Sequence, residues 1–310
     1  MTGNAALPPF PPVIEVELTR RCNLSCRMCQ RQAVRAQSDG LDLQADVLAA
    51  VLDGCRGGGP LQINLGGLGE SLLHPGLPDL FAQIKAHDLR IRTGFNTNGL
   101  ALADGVPGWL LDGRVDYLSI SLNAPDAEGY RWLVGRDVHD RVVRGARAFL
   151  VRKGRGNPPL TTVHVFRLPA FAAATPAFRR EWGALADFVQ ERDIGNWGGT
   201  IDRAAFTPDA LELGVCDRPW LSVAVGLDGG YHRCCATFAL EPPASWVQDM
   251  PVGDYWLGAE MERRRAAMLA GAFGTGDPCA ACSGRAIRAN TAIEHAAYGR
   301  MEQEGERSWT

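Results

Sequence analysis

The sequence predicts an α/β fold built on parallel strands. Two observations carry that expectation. Six short stretches read as strands, several of them alternating apolar and polar residues, and helical stretches separate most of them. A third observation concerns the ends of those strands, where glycines and small polar residues gather, as they do at the ligand-binding rim of a parallel sheet. At 310 residues the chain has room for one large domain with an appendage, or for two domains.

The elements follow in order. Pro8 to Pro12 is an extended entry segment. In Val13 to Thr19, Ile14, Val16 and Leu18 share one face and Glu15, Glu17 and Thr19 the other. The strand runs directly into a cysteine-bearing loop, so the polar face is expected to point inward at a ligand; solvent-facing carboxylates are the plainer alternative. Leu41 to Leu52 reads as a helix. Leu61, Ile63 and Leu65 alternate with Gln62, Asn64 and Gly66, and a Gly-rich loop follows. A helix near Leu80 to His87 leads to a strand from Ile91 to Asn96, closed by Thr97-Asn98-Gly99. Tyr117 to Asn123 is the clearest strand. A helix over Val138 to Val151 precedes a strand over Thr162 to Arg167, in which His164 and Phe166 share a face. Phe178 to Glu191 is expected to be helical, and Ile194 to Thr200 a short last strand.

Composition narrows the class. The apolar share is that of a globular protein, and a net charge of −3 provides no basic field for nucleic acid. Met1 to Pro12 carries no cationic n-region, and no apolar run approaches membrane-spanning length, so a cytoplasmic protein without a membrane partner is expected. Nine cysteines in such a chain suggest metal or redox chemistry rather than disulfides.

Three of them, Cys22, Cys26 and Cys29, fall within eight residues as C-x3-C-x2-C. Thiolates at this density ligate soft metal centres, iron–sulfur clusters among them. A zinc knuckle or a disulfide set would use the same residues. The stretch Cys22-Asn23-Leu24-Ser25-Cys26-Arg27-Met28-Cys29 resembles the radical S-adenosylmethionine (radical SAM) enzymes. That resemblance implies a 4Fe–4S cluster on the three thiolates, with SAM on the open iron and a 5′-deoxyadenosyl radical as the hydrogen abstractor. It also implies a partial six-stranded parallel (βα) barrel over residues 1–200. Gly67-Leu68-Gly69-Glu70-Ser71 resembles the family's Gly-Gly-Glu-Pro motif, with Leu68 for the first Gly and Ser71 for Pro. Thr97-Asn98-Gly99 and Ser121 also stand where family members contact SAM. The implied cofactor-binding residues are Met28, Gly67, Gly69, Glu70, Ser71, Asn98 and Ser121.

After residue 200 the pattern changes. Cys216 precedes a strand from Leu221 to Val225, Leu227-Asp228-Gly229-Gly230 signals a hairpin turn, and Cys234-Cys235 follows. A helix from Val252 to about Leu269 leads to Cys279-Ala280-Ala281-Cys282. This resembles the SPASM/twitch extension, here residues 201–310, with Cys216, Cys234, Cys279 and Cys282 as ligands of one auxiliary 4Fe–4S cluster. A structural zinc site is the rival, and Cys235 in place of Cys234 is an alternative ligand.

Cys55 and Cys235 remain. A thiol beside the barrel mouth can return a hydrogen atom to a carbon radical, so Cys235 as donor implies net epimerisation; without it, loss of an electron and a proton would give a ketone. Inward polar residues Glu15, Glu17, Asn64, Asn123 and His164 suit a carbohydrate-like or aminocyclitol substrate. A peptide-modifying enzyme is the weaker expectation, because the barrel begins at about residue 13 with no leader-binding module before it. The reduced cluster implies an electron donor such as flavodoxin or ferredoxin.

Overall fold

The structure is a computed structural model that describes residues 7–33, 41–55, 59–208, 211–238 and 240–286. One sheet of eight strands runs through it in the order β6-β5-β4-β3-β2-β1-β7-β8. The strands are β1 (Val13–Glu17), β2 (Gln62–Gly66), β3 (Arg92–Thr97), β4 (Tyr117–Asn123), β5 (Leu160–Phe166), β6 (Phe188–Arg192), β7 (Ser222–Val225) and β8 (Tyr231–His232). Every pairing is parallel except β7 with β8.

The helices are α1 (Ala45–Asp53), α2 (Leu77–His87), α3 (Ala127–Val134), α4 (His139–Lys153), α5 (Thr175–Gly183), α6 (Arg218–Leu221), α7 (Val252–Leu257) and α8 (Ala259–Ala270). Crossovers through helices between successive strands are what parallel pairing requires. The outward faces of the strands supply the core: Ile14, Val16, Ile63, Leu118, Ile120 and Val163 are almost wholly buried, and Leu48, Phe81 and Phe149 of α1, α2 and α4 join the same cluster. Helix α3, absent from the sequence reading, starts at Asp126, whose side chain accepts from the Gly129 N–H at 2.8 Å, and stops at left-handed Gly135.

Two elements differ from expectation. The helix expected over Phe178 to Glu191 ends at Gly183, and the sixth strand is Phe188–Arg192 rather than Ile194 to Thr200. Asp187 fixes that change of direction: it pairs with buried Lys153 at 2.7 Å and accepts from the N–H groups of Gly156 and Thr161 at 2.6 Å each. Beyond β6, Trp197–Gly199 is a 3-10 turn holding positive φ at Trp197, Gly198 and Gly199. The long helix expected after Val252 is likewise broken, at extended Gly258.

The cysteine-bearing hairpin joins the same sheet, with β7 parallel to β1 and Glu15 opposite Ala224. Residues 287–310 of the segment expected as a twitch domain lie outside the described residues. Glu15 on β1 and Arg192 on β6 line one cavity. Five inter-strand steps of a flat sheet would separate them by about 24 Å, so the sheet curls into an incomplete barrel. Among the described residues no helix is long and apolar enough to cross a membrane.

Candidate active site

The loop after β1 carries the first cysteine set. Cys22, Cys26 and Cys29 are free thiols, and each is partly exposed. Burial, then the neighbouring Cys29 and Cys22, push the Cys26 thiol up to about 12; burial also raises Cys22 and Cys29. Three thiolates held together in this setting need a cationic centre to offset desolvation and mutual repulsion. Among the described residues no three metal-binding side chains converge as a single ion requires. Three cysteine thiolates are the donor chemistry that an iron–sulfur cluster takes, each on a separate iron.

The loop after β2 packs directly on the cysteine loop. A Cβ on Gly69 would lie 2.4 Å from the Thr19 carbonyl and 2.5 Å from that of Arg21, and Glu70 N–H donates to the Arg21 carbonyl at 2.7 Å. Gly67, at φ +116°, passes as closely over Glu17. Glu70 is buried and accepts from Thr97 Oγ1 at 2.5 Å, Asn98 N–H at 2.6 Å and Leu72 N–H at 3.2 Å. Burial raises its carboxyl against those three donors. Ser71 is buried at the start of the following 3-10 turn. Asn98 reaches back, donating from Nδ2 to Asn23 Oδ1 at 2.8 Å, and Arg136 donates to the Asn23 carbonyl at 2.7 Å. The cysteine loop and the ends of β2 and β3 are thus one hydrogen-bonded unit.

The cavity beneath this unit encloses about 270 Å³. Glu15, Asn64, Gly67, Cys29 and Cys235 are among its lining residues, which brings one thiol of the first set and the Cys235 thiol to one space. Gln62 Nε2 donates to Asn64 Oδ1 at 2.7 Å, so these two neighbours on β2 present a fixed amide pair. Buried Met28 accepts at its carbonyl from Trp197 Nε1 at 3.1 Å, and the Trp197 ring closes another side of the cavity.

Several expected residues stand behind the lining. Glu17 is wholly buried and holds Arg20 through two bonds of 2.9 and 3.0 Å. His164 lies between Ser119 Oγ at 3.4 Å and Asn123 Oδ1 at 3.2 Å. Burial, then the nearby Arg192 charge, hold its ring well below the ordinary value, so it is neutral. Asn123 takes a φ of +67° where the β4–β5 register shifts, which turns its amide to His164. Ser121 lies across from His164 in register.

Three thiols of the second cysteine region, Cys216, Cys234 and Cys235, lie near Arg218, and Cys279 lies near Arg233. Cys216, Cys234 and Cys279 each feel Cys282, whereas Cys235 feels Arg218, Glu15 and Cys216. Burial raises all four of these thiols, Cys279 to about 12. Gln30, Arg192, Trp197 and Arg218 line the cavity, and none of them was a candidate in the sequence. Gln30 and Arg218 sit two residues or less from cysteines, which was the signal available; Arg192 fell between the helix expected to end at Glu191 and the strand expected to begin at Ile194.

An incomplete parallel α/β barrel, with a thiol-bearing loop after its first strand and a polar cavity at its mouth, defines the class of protein. Residues 16–165 match the family model described as the Radical SAM superfamily. GTP 3′,8-cyclase 1 of Mycobacterium tuberculosis is 26% identical over 187 residues, 59% of this chain and 52% of the cyclase. The chain spans about half or less of the length of the curated relatives it matches. Two crystal structures share the fold more fully. BtrN, in complex with AdoMet and 2-DOIA, is 16% identical with a TM-score of 0.58, covering 87% of this chain and 92% of its own. Streptococcus suis SuiB, bound to precursor peptide SuiA, is 14% identical with a TM-score of 0.64, covering 90% and 71%. At these identities the likeness is one of fold.

Proposed function

We propose that the chain is a radical SAM epimerase acting on a carbon of a sugar- or aminocyclitol-type substrate, with Cys235 as hydrogen-atom donor. The observation that carries this reading is that Cys235 lines the same cavity as Cys29. In this reading residues 1–200 form the barrel and residues 201–310 a twitch module. Cys22, Cys26 and Cys29 hold one 4Fe–4S cluster, and Cys216, Cys234, Cys279 and Cys282 a second. Met28, Gly67, Gly69, Glu70, Ser71, Asn98 and Ser121 form the SAM pocket. When bound, SAM and the clusters supply the 5′-deoxyadenosyl radical and the one-electron chemistry.

The chain's own residues do the rest. Glu15, Gln62 and Asn64 orient hydroxyl groups. The substrate hydrogen leaves with 5′-deoxyadenosine, and Cys235 gives its S–H hydrogen atom to the opposite face of the carbon radical. One electron from a flavodoxin- or ferredoxin-type protein and one proton from solvent restore the thiol. Dehydrogenation is the second reading, favoured by the Glu15 carboxylate in the cavity, which can take a hydroxyl proton while the electron departs. A peptide substrate is supported by fold likeness alone, to SuiB bound to precursor peptide SuiA and to anSMEcpe bound to the Cp18Cys peptide.

Turnover in heavy water separates the readings. Epimerisation places one solvent deuterium at the inverted carbon, and Cys235→Ala keeps SAM cleavage while losing the epimer. A ketone without deuterium from the wild-type protein, or normal epimerisation by the variant, would overturn the assignment.

A further inference from the structure

Two guanidinium groups stand near the cysteines of the second set, and they differ in what opposes their charge. Arg233 donates to Glu241 at 2.7 Å and to Asp277 at 2.8 Å. Among the described residues Arg218 meets one acid, Glu15, at a long 3.4 Å. We infer that Arg218 is a positioned cation that raises the reduction potential of the second cysteine site, bringing it within reach of a one-electron donor. The inference rests on the reading that Cys216, Cys234, Cys279 and Cys282 hold an iron–sulfur cluster.

The fold puts Arg218 at this place. It opens α6 two residues after Cys216, and α6 runs directly into β7. β7 pairs antiparallel with β8, Ala224 opposite His232 and Val225 opposite Tyr231. Each step back along β7 is therefore a step forward along β8, and two further steps set Ser222 beside Cys234. Arg218 lies one helical turn ahead of Ser222, and Cys235 one residue beyond Cys234. Arg218 and Cys235 line the same cavity. The charges that act on the guanidinium are, largest first, those of Cys235, Glu15, Cys234 and Cys216.

Four cysteine thiolates are the donor chemistry of an iron–sulfur site, and such a site is a concentrated negative charge. An added electron deepens that charge, so a neighbouring cation favours the reduced form. The effect is largest where water is excluded, and burial raises the Cys216, Cys234 and Cys279 thiols alike. Arg233 contributes less, because two carboxylates already oppose it. Glu15 works against Arg218 from the cavity side. By favouring the reduced form, Arg218 lets a donor of the flavodoxin or ferredoxin class place one electron beside Cys235. That electron, with a proton from solvent, restores the Cys235 thiol after it has given up its hydrogen atom.

The test is a redox titration of the anaerobically reconstituted full chain, followed by electron paramagnetic resonance. SAM alters the signal of the cluster that binds it and leaves that of the second site, so the two are read separately. Arg218→Gln is expected to lower the midpoint of the second signal by about 59 mV or more, a tenfold shift toward the oxidised form. Arg218→Lys, which keeps a cation, is expected to fall between Arg218→Gln and wild type. Glu15→Gln leaves the guanidinium and removes its opposing charge, so the ratio of reduced to oxidised form should rise about threefold or more. A merely structural role would not give shifts of opposite sign. An unmoved or raised midpoint in Arg218→Gln overturns the inference, as does an Arg218→Lys midpoint no higher than that of Arg218→Gln. Should the Arg218 variants not take up iron, Glu15→Gln decides, and an unmoved or lowered midpoint there overturns it. Zinc in place of iron at the second set defeats the two-cluster reading and this inference together; iron there with an unmoved midpoint defeats this inference alone. The midpoint is read without substrate, so neither outcome bears on epimer against ketone.

Discussion

Thr97 donates to Glu70 at 2.5 Å, joining the C-terminal ends of β3 and β2 through a buried carboxylate. The second carboxylate oxygen accepts from the Asn98 N–H at 2.6 Å. Buried charge of this kind persists only where hydrogen bonds satisfy it. Glu70 therefore sets the relative position of the two loops that close over the cysteine loop, whatever further contact it makes.

Glu70→Gln follows directly. The amide keeps one oxygen for Thr97 and turns its NH2 toward the Asn98 N–H, donor against donor. The expected cost is about 1–3 kcal/mol, read as a lower denaturant midpoint at unchanged slope. SAM affinity should fall with it. A variant with wild-type midpoint and affinity would show that the bond network is dispensable.

Gly69→Ala should be worse tolerated than Gly66→Ala. The new methyl at residue 69 meets two backbone carbonyls at 2.4 and 2.5 Å, and backbone cannot step aside as a side chain can. At residue 66 a methyl meets nothing within 4 Å. Overpacking of the first kind costs about 1–3 kcal/mol or more, whereas the second change should remain within about 1 kcal/mol. Thermal melts of the pair decide it: similar melting temperatures would contradict the close approach.

Much of this arrangement could be read from the sequence. Alternation alone located β1 through β5, because each pairs one apolar face with one polar face, as in Leu118 and Ile120 against Tyr117 and Ser119. The sixth strand was missed for a physical reason. Phe188–Arg192 is a half-buried edge strand throughout, and Phe178, Trp182 and Leu185 before it continue a helical period. The turn between them is made by Asp187 bonding to Lys153, a contact 34 residues away. The place of β7 beside β1 was equally hidden, since four buried residues, Ser222–Val225, carry no mark of which strand they join. The cysteine spacing and the Gly-Glu loop pointed to the region of the cavity. Its arginines did not show, because Arg192 and Arg218 acquire meaning only when the sheet curls.

The two thiol sets should be separable by iron content. Wild-type protein reconstituted without oxygen is expected to hold about eight irons, and the Cys22→Ala, Cys26→Ala, Cys29→Ala triple variant about four, with SAM cleavage abolished. Cys279→Ala with Cys282→Ala should lose the other four and retain part of the cleavage. Zinc in place of iron at the second set would remove the auxiliary cluster and leave the first assignment untouched. Continued 5′-deoxyadenosine formation by the triple variant would sink the first.

The stability of the fold should also carry the signature of His164. The ring is 4% exposed, bonded to Ser119 and Asn123, and faces the Arg192 charge. Burial first and Arg192 second depress its pKa well below 6.5, so it is neutral when folded. In the unfolded chain it titrates near the ordinary value. The unfolded state therefore binds the extra proton as pH falls past about 6.5. Stability from this group is fully present above that pH and declines below it, by at most about 1.4 kcal/mol per pH unit for one proton. His232, depressed by burial, adds a slope of the same sign, so the informative quantity is a difference between proteins. His164→Gln should lower stability near neutral pH and flatten its decline between about pH 6.5 and about pH 5. Denaturant midpoints for wild type and variant across that range measure it. Parallel curves for the two would mean that His164 takes up a proton without leaving its place, and that the Arg192 charge is screened from it.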